Sequence, residues 1–363
     1  MKKVYLLILL CLLFCFKNKT FGQEKEHQNF FIEPVYQYGF IWQHRPSLAE
    51  IIGGNINVFR LTFGKETFGQ KYWQQLYRYP DWGLGYSFTD LGNPEELGQA
   101  NAIYYYLRIP VLKRNKFSLS YKISGGLARL NKGNIAIGSH LNLYFDASID
   151  AKIKISERLE LINAFGATHY SNGAIEMPNL GVNLFSYRLG LHYKLQNPER
   201  EKITLELPEL YGKNNITAVF GAGAKEKRPD GGKKFTVASF SIDYMRVLNL
   251  KHKVGFGLDA FYDETLLELM NPDSILNISN REIMRYGFHL SGEAQIDRLV
   301  LVVHIGTYLH ANYTEDGKIY QRVALRYLFN KNLFANISLK TSKGVADFVE
   351  WGVGYQFYWK KNN

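Results

Sequence analysis

The chain alternates. From Leu141 to Ile155 every odd position is apolar (Leu141, Leu143, Phe145, Ala147, Ile149, Ala151, Ile153, Ile155), with Asn142, Asp146, Ser148, Asp150, Lys152 and Lys154 among the residues between. The pattern returns at the end, where Val349, Trp351, Val353, Tyr355, Phe357 and Trp359 alternate with Glu350, Gly352, Gly354, Gln356 and Tyr358. Successive side chains of a strand point to opposite faces, so each run predicts a strand with one face for lipid and one for a wet interior. About sixteen such strands are predicted, eight before residue 196 and eight after 213. The first eight lie near 29–43, 54–65, 82–89, 100–113, 117–130, 138–155, 158–171 and 183–195. The second eight lie near 214–224, 234–247, 253–262, 283–295, 298–310, 318–328, 332–341 and 348–359.

The connections give a direction. Those after even-numbered strands are mostly tight (Arg114-Asn115-Lys116, Glu157, Asn330-Lys331), and those after odd-numbered strands are mostly long (44–53, 90–99, 172–182, 263–282). Outer-membrane barrels have short periplasmic turns, long external loops and a periplasmic N-terminus. The long stretch 66–81 breaks this phasing, and mis-assigned strands are the simplest reading of it. The expected fold is therefore all-β: an antiparallel transmembrane β-barrel of about sixteen strands, either one large barrel or two eight-stranded halves. The polar stretch 196–213, with two prolines, would be a periplasmic linker or turn between residues 23–195 and a second barrel half, 214–363. Ala102 to Gly126 and Ile319 to Gly344 share a strand, tight basic turn, strand layout, which raises the idea of a duplication.

Composition supports a membrane barrel. Met1-Lys2-Lys3 and the apolar run Val4 to Phe16 read as a secretory signal peptide over 1–22, too short for a membrane helix and followed by small residues at Thr20-Phe21-Gly22. Both cysteines, Cys11 and Cys15, lie in that signal, each after a bulky residue that does not suit a lipoprotein acceptor. The mature chain would lack disulfides and any apolar stretch near the roughly 18 residues of a membrane helix. It is nonetheless 15% aromatic, with 25 Tyr and 24 Phe, as the aromatic girdles of a barrel require. The formal charge of +11 falls to +7 without Lys2, Lys3, Lys17 and Lys19. That excess suits phosphate-bearing lipid and is no nucleic-acid signature. Arg45, Lys225, Lys227, Arg228, Lys233 and Lys234 are loop cations that would meet lipid phosphates or simply be solvated.

One segment carries chemistry: Phe165-Gly166-Ala167-Thr168-His169-Tyr170-Ser171-Asn172-Gly173, then Pro178-Asn179 and Asn183-Leu184-Phe185-Ser186-Tyr187. His169 and Ser171, two apart on a strand, project from one face. A histidine within reach of a serine can act as base to a nucleophile. The odd face here reads Leu159, Leu161, Asn163, Phe165, Ala167, His169, Ser171, and that of the next strand Asn183, Phe185, Tyr187, Leu189, Leu191, Tyr193, Leu195. His169, Ser171 and Asn183 thus fall on the lipid side at the external end of one hairpin. Polar groups facing lipid are costly and need a reason, and a lipid substrate supplies one.

His-x-Ser-Asn followed by Pro-Asn and the start of a strand, here His169, Ser171, Asn172, Pro178 and Asn179, resembles the PagL-type lipid A 3-O-deacylases, outer-membrane barrel esterases. The resemblance covers residues 29–195. The longer layout, with Ile137-Gly138-Ser139-His140-Leu141-Asn142 and Pro178-Asn179-Leu180-Gly181, is similar to acyloxyacyl hydrolase-like proteins of Bacteroidetes-type bacteria. It implies Ser171 as nucleophile, His169 as base, amides around Asn172 and Gly173 as oxyanion donors, Asn179 beside the substrate, and lipid A of the outer leaflet as partner. The family's third member is a glutamate; twelve residues past the serine this chain has Asn183. An asparagine carbonyl orients the ring without neutralising the imidazolium. Glu176 is a loop alternative, and Glu350 falls on the lumen face.

His44, His140, His192, His252, His289, His304 and His310 lack metal-ligand spacing and read as barrel or loop residues, so no metal or cofactor is expected. The competing reading is a non-catalytic outer-membrane barrel, a porin-like channel or a structural protein, favoured by the second half and the charged lumen faces.

Overall fold

The computed structural model describes residues 29–131, 136–196, 201–210, 212–227, 232–271 and 277–358. The signal peptide and Trp359 lie outside them, as do Arg228 and Asn197 to Arg200. The first eight strands are β1 Asn29–Ile41, β2 Ile56–Glu66, β3 Asp81–Asp90, β4 Gln99–Lys113, β5 Phe117–Leu130, β6 Leu141–Lys154, β7 Leu159–Ser171 and β8 Val182–Lys194. The second eight are β9 Asn214–Lys225, β10 Phe235–Val247, β11 His252–Asp263, β12 Arg285–Ile296, β13 Leu299–His310, β14 Ile319–Leu328, β15 Leu333–Ser342 and β16 Val345–Tyr358. Each set closes on itself, giving two antiparallel eight-stranded barrels rather than one of sixteen. The first closes where β1 pairs with β8 (Tyr38 opposite Tyr187), the second where β16 pairs with β9 (Trp351 opposite Ala222). Closure removes sheet edges and satisfies every backbone group without water, as a bilayer demands. No helix among the described residues is long and apolar enough to cross a membrane.

The alternation sorts the faces. On β6, Leu141, Phe145 and Ile149 are exposed to the outside while Asn142, Asp146 and Asp150 are buried in the lumen. Eight strands leave an interior that side chains fill, and here they are ion pairs. Asp146 receives Arg60 (2.8 Å) and Arg188 (2.7 Å), and Arg108 meets Glu33 (2.6 Å), Asp81 (3.2 Å) and Asp150 (3.0 Å). The second lumen repeats the device with Arg322 and Arg326 against Asp259, Asp243, Glu293 and Glu350.

Two expectations change. The stretch after β2 contains no missed strand; it is a long connection with a short helix, Tyr72–Leu76. It meets the second barrel. Tyr77 donates to the Gln295 carbonyl (2.9 Å), Lys71 pairs with Asp297 (3.2 Å), and Trp73 and Tyr77 form a buried cluster against which Ile296 packs. The suggested duplication also fails in detail. Its hairpins are β4–β5, fourth and fifth in the first barrel, and β14–β15, sixth and seventh in the second, so they do not occupy equivalent places.

Candidate active site

The loop end of the β7–β8 hairpin carries the candidate residues. His169 stands opposite Asn183 on one side and Phe145 on the other, and Ser171 opposite Leu143. Cross-strand partners share a face, and Phe145 is half exposed to the outside, so His169, Ser171 and Asn183 lie on the lipid-side surface. Thr168 and Tyr170 turn inward, to Asp146 (2.7 Å) and Thr89 (3.0 Å). Beside the site Phe185 lies next to Phe40 and Phe165 and meets Trp42 edge-on, an outward-facing aromatic cluster of the kind barrel girdles use.

His169 is oriented by a chain of hydrogen bonds. Its Nδ1 lies 2.6 Å from Asn183 Oδ1, and Asn183 Nδ2 lies 3.1 Å from His44 Nδ1. His44 Nε2 lies 3.0 Å from the Leu180 carbonyl. A carbonyl only accepts, so a neutral His44 that donates to Leu180 carries its proton on Nε2 and offers a lone pair at Nδ1. Asn183 must then turn its N–H toward His44 and its oxygen toward His169, which donates from Nδ1 and keeps Nε2 as a free base. The Trp42 carbonyl, 3.2 Å from His44 Nδ1, competes for a proton there. A neutral ring serves one of the two carbonyls, and Leu180 has the shorter contact. His44, read from the sequence as an ordinary barrel or loop residue, therefore belongs to the site. Only the fold brings the end of β1 beside β8.

Ser171, almost fully buried beneath the loop after β7, donates to Asn179 Oδ1 (3.1 Å) and accepts from the Gly173 amide (3.1 Å). No hydrogen bond joins it to His169 among the described residues, although both sit on one face. Asn179 also accepts the Asn172 amide (3.1 Å), so both amides proposed as oxyanion donors are engaged in this arrangement. The Asn172 side chain points into the protein, donating to Ser139 Oγ (2.9 Å) and the Glu176 carbonyl (2.8 Å). Asn179 is held by the segment before β6: Ile137 bridges to it, the Gly138 amide donates to Pro178 (2.8 Å) and the Leu180 amide to Ala136 (2.7 Å). The two segments noted together in the sequence are thus paired in space.

Other candidates drop away. Glu176 contributes its backbone carbonyl, and its carboxylate contacts no group of the site. Glu350 is buried in the second lumen, accepting from Ser338 (2.6 Å). Lys225 is not a solvated loop cation: it is buried between Asp263 (2.7 Å) and Asp347 (2.6 Å). Asp243, His289 and His304 bring possible ligand atoms within 4.8 Å of one another in the second lumen. His289 already spans Asp243 (2.8 Å) and Asp259 (2.6 Å), and His304 stacks on it at 4.0 Å and 12°. Both ring nitrogens of His289 are thus already bonded to carboxylates.

Comparison with known proteins gives two family matches. Residues 57–192 match the model of lipid A 3-O-deacylase (PagL), and residues 214–359 that of the acyloxyacyl hydrolase C-terminal domain. No curated protein sequence matches. Among solved structures, the outer membrane enzyme PagL is 19% identical, covering 44% of this chain and 97% of its own, with a TM-score of 0.30. Acinetobacter baumannii Omp33 (6% identity, 91% and 99% covered, TM-score 0.18) and the KdgM porin (9%, 90% and 99%, 0.17) are also similar. These structural likenesses are distant, and the assignment rests on the two family models, which between them span both barrels. The chain belongs to the lipid A 3-O-deacylase family of outer-membrane β-barrel ester hydrolases.

Proposed function

We propose that Ser171 and His169 hydrolyse an ester-linked acyl chain of lipid A in the outer leaflet. Ser171 Oγ attacks the ester carbonyl as His169 Nε2 takes its proton. The tetrahedral oxyanion is met by the Gly173 amide, joined by the Asn172 amide once substrate displaces the Asn179 side chain. Collapse expels the sugar hydroxyl, protonated by His169, and leaves an acyl-serine. Water, deprotonated by the same imidazole, then releases the fatty acid and restores Ser171. In the resting arrangement the Ser171 hydroxyl rests on Asn179, and the reaction requires it to turn to His169. Catalytic hydrogen bonds are commonly long before substrate binds.

The observation that carries this reading is the hydrogen-bonded run Leu180–His44–Asn183–His169, which suits a His169 with its lone pair on Nε2, with no carboxylate of the described residues bonded to the ring. In a serine protease, replacing the triad aspartate by asparagine costs about 10⁴ in turnover through the wrong tautomer. Here Asn183 has its N–H committed to His44, so that tautomer is disfavoured. The imidazolium still lacks a countercharge, and turnover should fall below that of a glutamate-containing site.

The test is expression in a Gram-negative host with unmodified lipid A and mass spectrometry of that lipid. Loss of one acyl chain with the wild type, and none with Ser171→Ala or His169→Asn, is expected. Unchanged lipid A with abundant folded wild type refutes it. A non-catalytic barrel draws on one observation, the Ser171 hydroxyl bonded to Asn179 instead of His169, and the same measurement decides between the two.

A further inference from the structure

We propose that the second barrel is a working part of the deacylase site: its outer rim holds the loop that follows Ser171, with Glu226 and Lys234 as positioning residues. The inference rests on Ser171 being the nucleophile. Residues 173–177 leave the end of β7 and lean across the gap between the barrels. The Glu226 amide donates to the Ala174 carbonyl (3.1 Å), and the Met177 amide donates to Glu226 Oε2 (2.8 Å). One residue thus grips the loop near both its ends. Lys234 reaches the Ile175 carbonyl between them and also pairs with Glu226 (2.8 Å). Burial pushes the Glu226 carboxyl up, but the Lys234 ammonium and the Met177 amide outweigh it and leave the group below the usual carboxylate range.

Packing shows the same seam. Val349 occupies an outward position of β16, where Trp351, Val353, Tyr355 and Phe357 are exposed, yet it is only 4% exposed. The backbone of Gly173 covers it so closely that a Cβ on Gly173 would lie 2.3 Å from Val349 Cγ2. Gly173 (φ 66°) and Ala174 (φ 65°) are both left-handed, and for alanine that conformation is unfavourable. Such a residue persists only where its surroundings over-determine it. The cross-barrel bond to the Ala174 carbonyl is one such constraint. Gly173 in turn donates its amide to Ser171 Oγ, so a shift of the loop moves the donor set of the nucleophile.

The experiment uses the full chain in detergent, measuring kcat and KM on lipid A together with hydrogen exchange over residues 173–177. Glu226→Ala should lower kcat about tenfold or more with KM nearly unchanged, since small misplacements of reacting groups act on turnover. It should also speed exchange in the loop without altering the unfolding temperature. Glu226→Gln keeps an oxygen for the Met177 amide and should retain most of the turnover. Lys233→Ala, which removes a partner of Glu268 and touches nothing in the loop, should match the wild type. Wild-type turnover and exchange in Glu226→Ala, or an equal loss in Glu226→Gln, overturns the proposal. If the wild type itself leaves lipid A intact, the nucleophile assignment fails, and the exchange measurement still decides whether Glu226 holds the loop.

Discussion

His44→Ala tests the logic of the site most directly. In the structure Asn183 has a single sensible orientation, because its N–H faces the His44 lone pair and its oxygen faces His169. Flipping that amide in the intact protein loses one hydrogen bond and sets an oxygen against a lone pair. A lost bond is worth about 1 kcal/mol and an unsatisfied buried partner about 1–3 kcal/mol. Removing His44 erases that difference, and the amide is free to present N–H to His169 Nδ1. His169 must then accept at Nδ1 and carry its proton on Nε2, where it is useless as a base. At about 1.4 kcal/mol per factor of ten, the intact preference keeps roughly nine-tenths or more of the molecules productive and its loss leaves about half, so turnover should fall about twofold, bounded above by the roughly 10⁴ of a fully wrong tautomer. The assay is release of free fatty acid from lipid A in mixed micelles, with kcat and KM separated; KM should hardly move. The decisive companion is Asn183→Asp in the same background. A carboxylate has no wrong orientation, so His44→Ala/Asn183→Asp should recover the lost turnover. Undiminished turnover in His44→Ala, or no recovery in the double variant, refutes the reasoning.

Two further outcomes follow from the filled lumens. Asp146→Asn leaves Arg60 and Arg188 buried without their shared carboxylate. It should destabilise the first barrel by about 3–5 kcal/mol, read from the urea midpoint of unfolding in detergent; an unmoved midpoint would show that water already screens these charges. Because both lumens are crossed by ion pairs, the protein should give no steady porin-like conductance in planar bilayers. A large stable channel, unaffected by Ser171→Ala, would contradict the packing of Arg108 among Glu33, Asp81 and Asp150.

The barrel was legible in the chain because the signal is local: period-2 alternation depends on neighbours along one strand. It placed β1 to β16 within a few residues of where they lie, and it put His169, Ser171 and Asn183 on the outer face before any pairing was known. The alternation of short and long connections was legible for the same reason, since turn length is a property of sequence. What needed tertiary structure was every contact between distant segments. Alternation is identical for one barrel of sixteen strands and two of eight, because closure depends on which strands find each other: β1 pairs with β8, and β9 with β16. His44 looked like a loop residue because its partner, Asn183, is 139 positions away. Lys225 looked solvated because Asp263 and Asp347 reach it only across the closed second barrel. The stretch 66–81 looked like an error of assignment because its second barrel contacts lie more than two hundred residues on. The chain by itself determined which side chains meet lipid and which meet the lumen; folding decided which polar groups meet each other, because hydrogen bonds of about 3 Å are set by closure and docking rather than by periodicity.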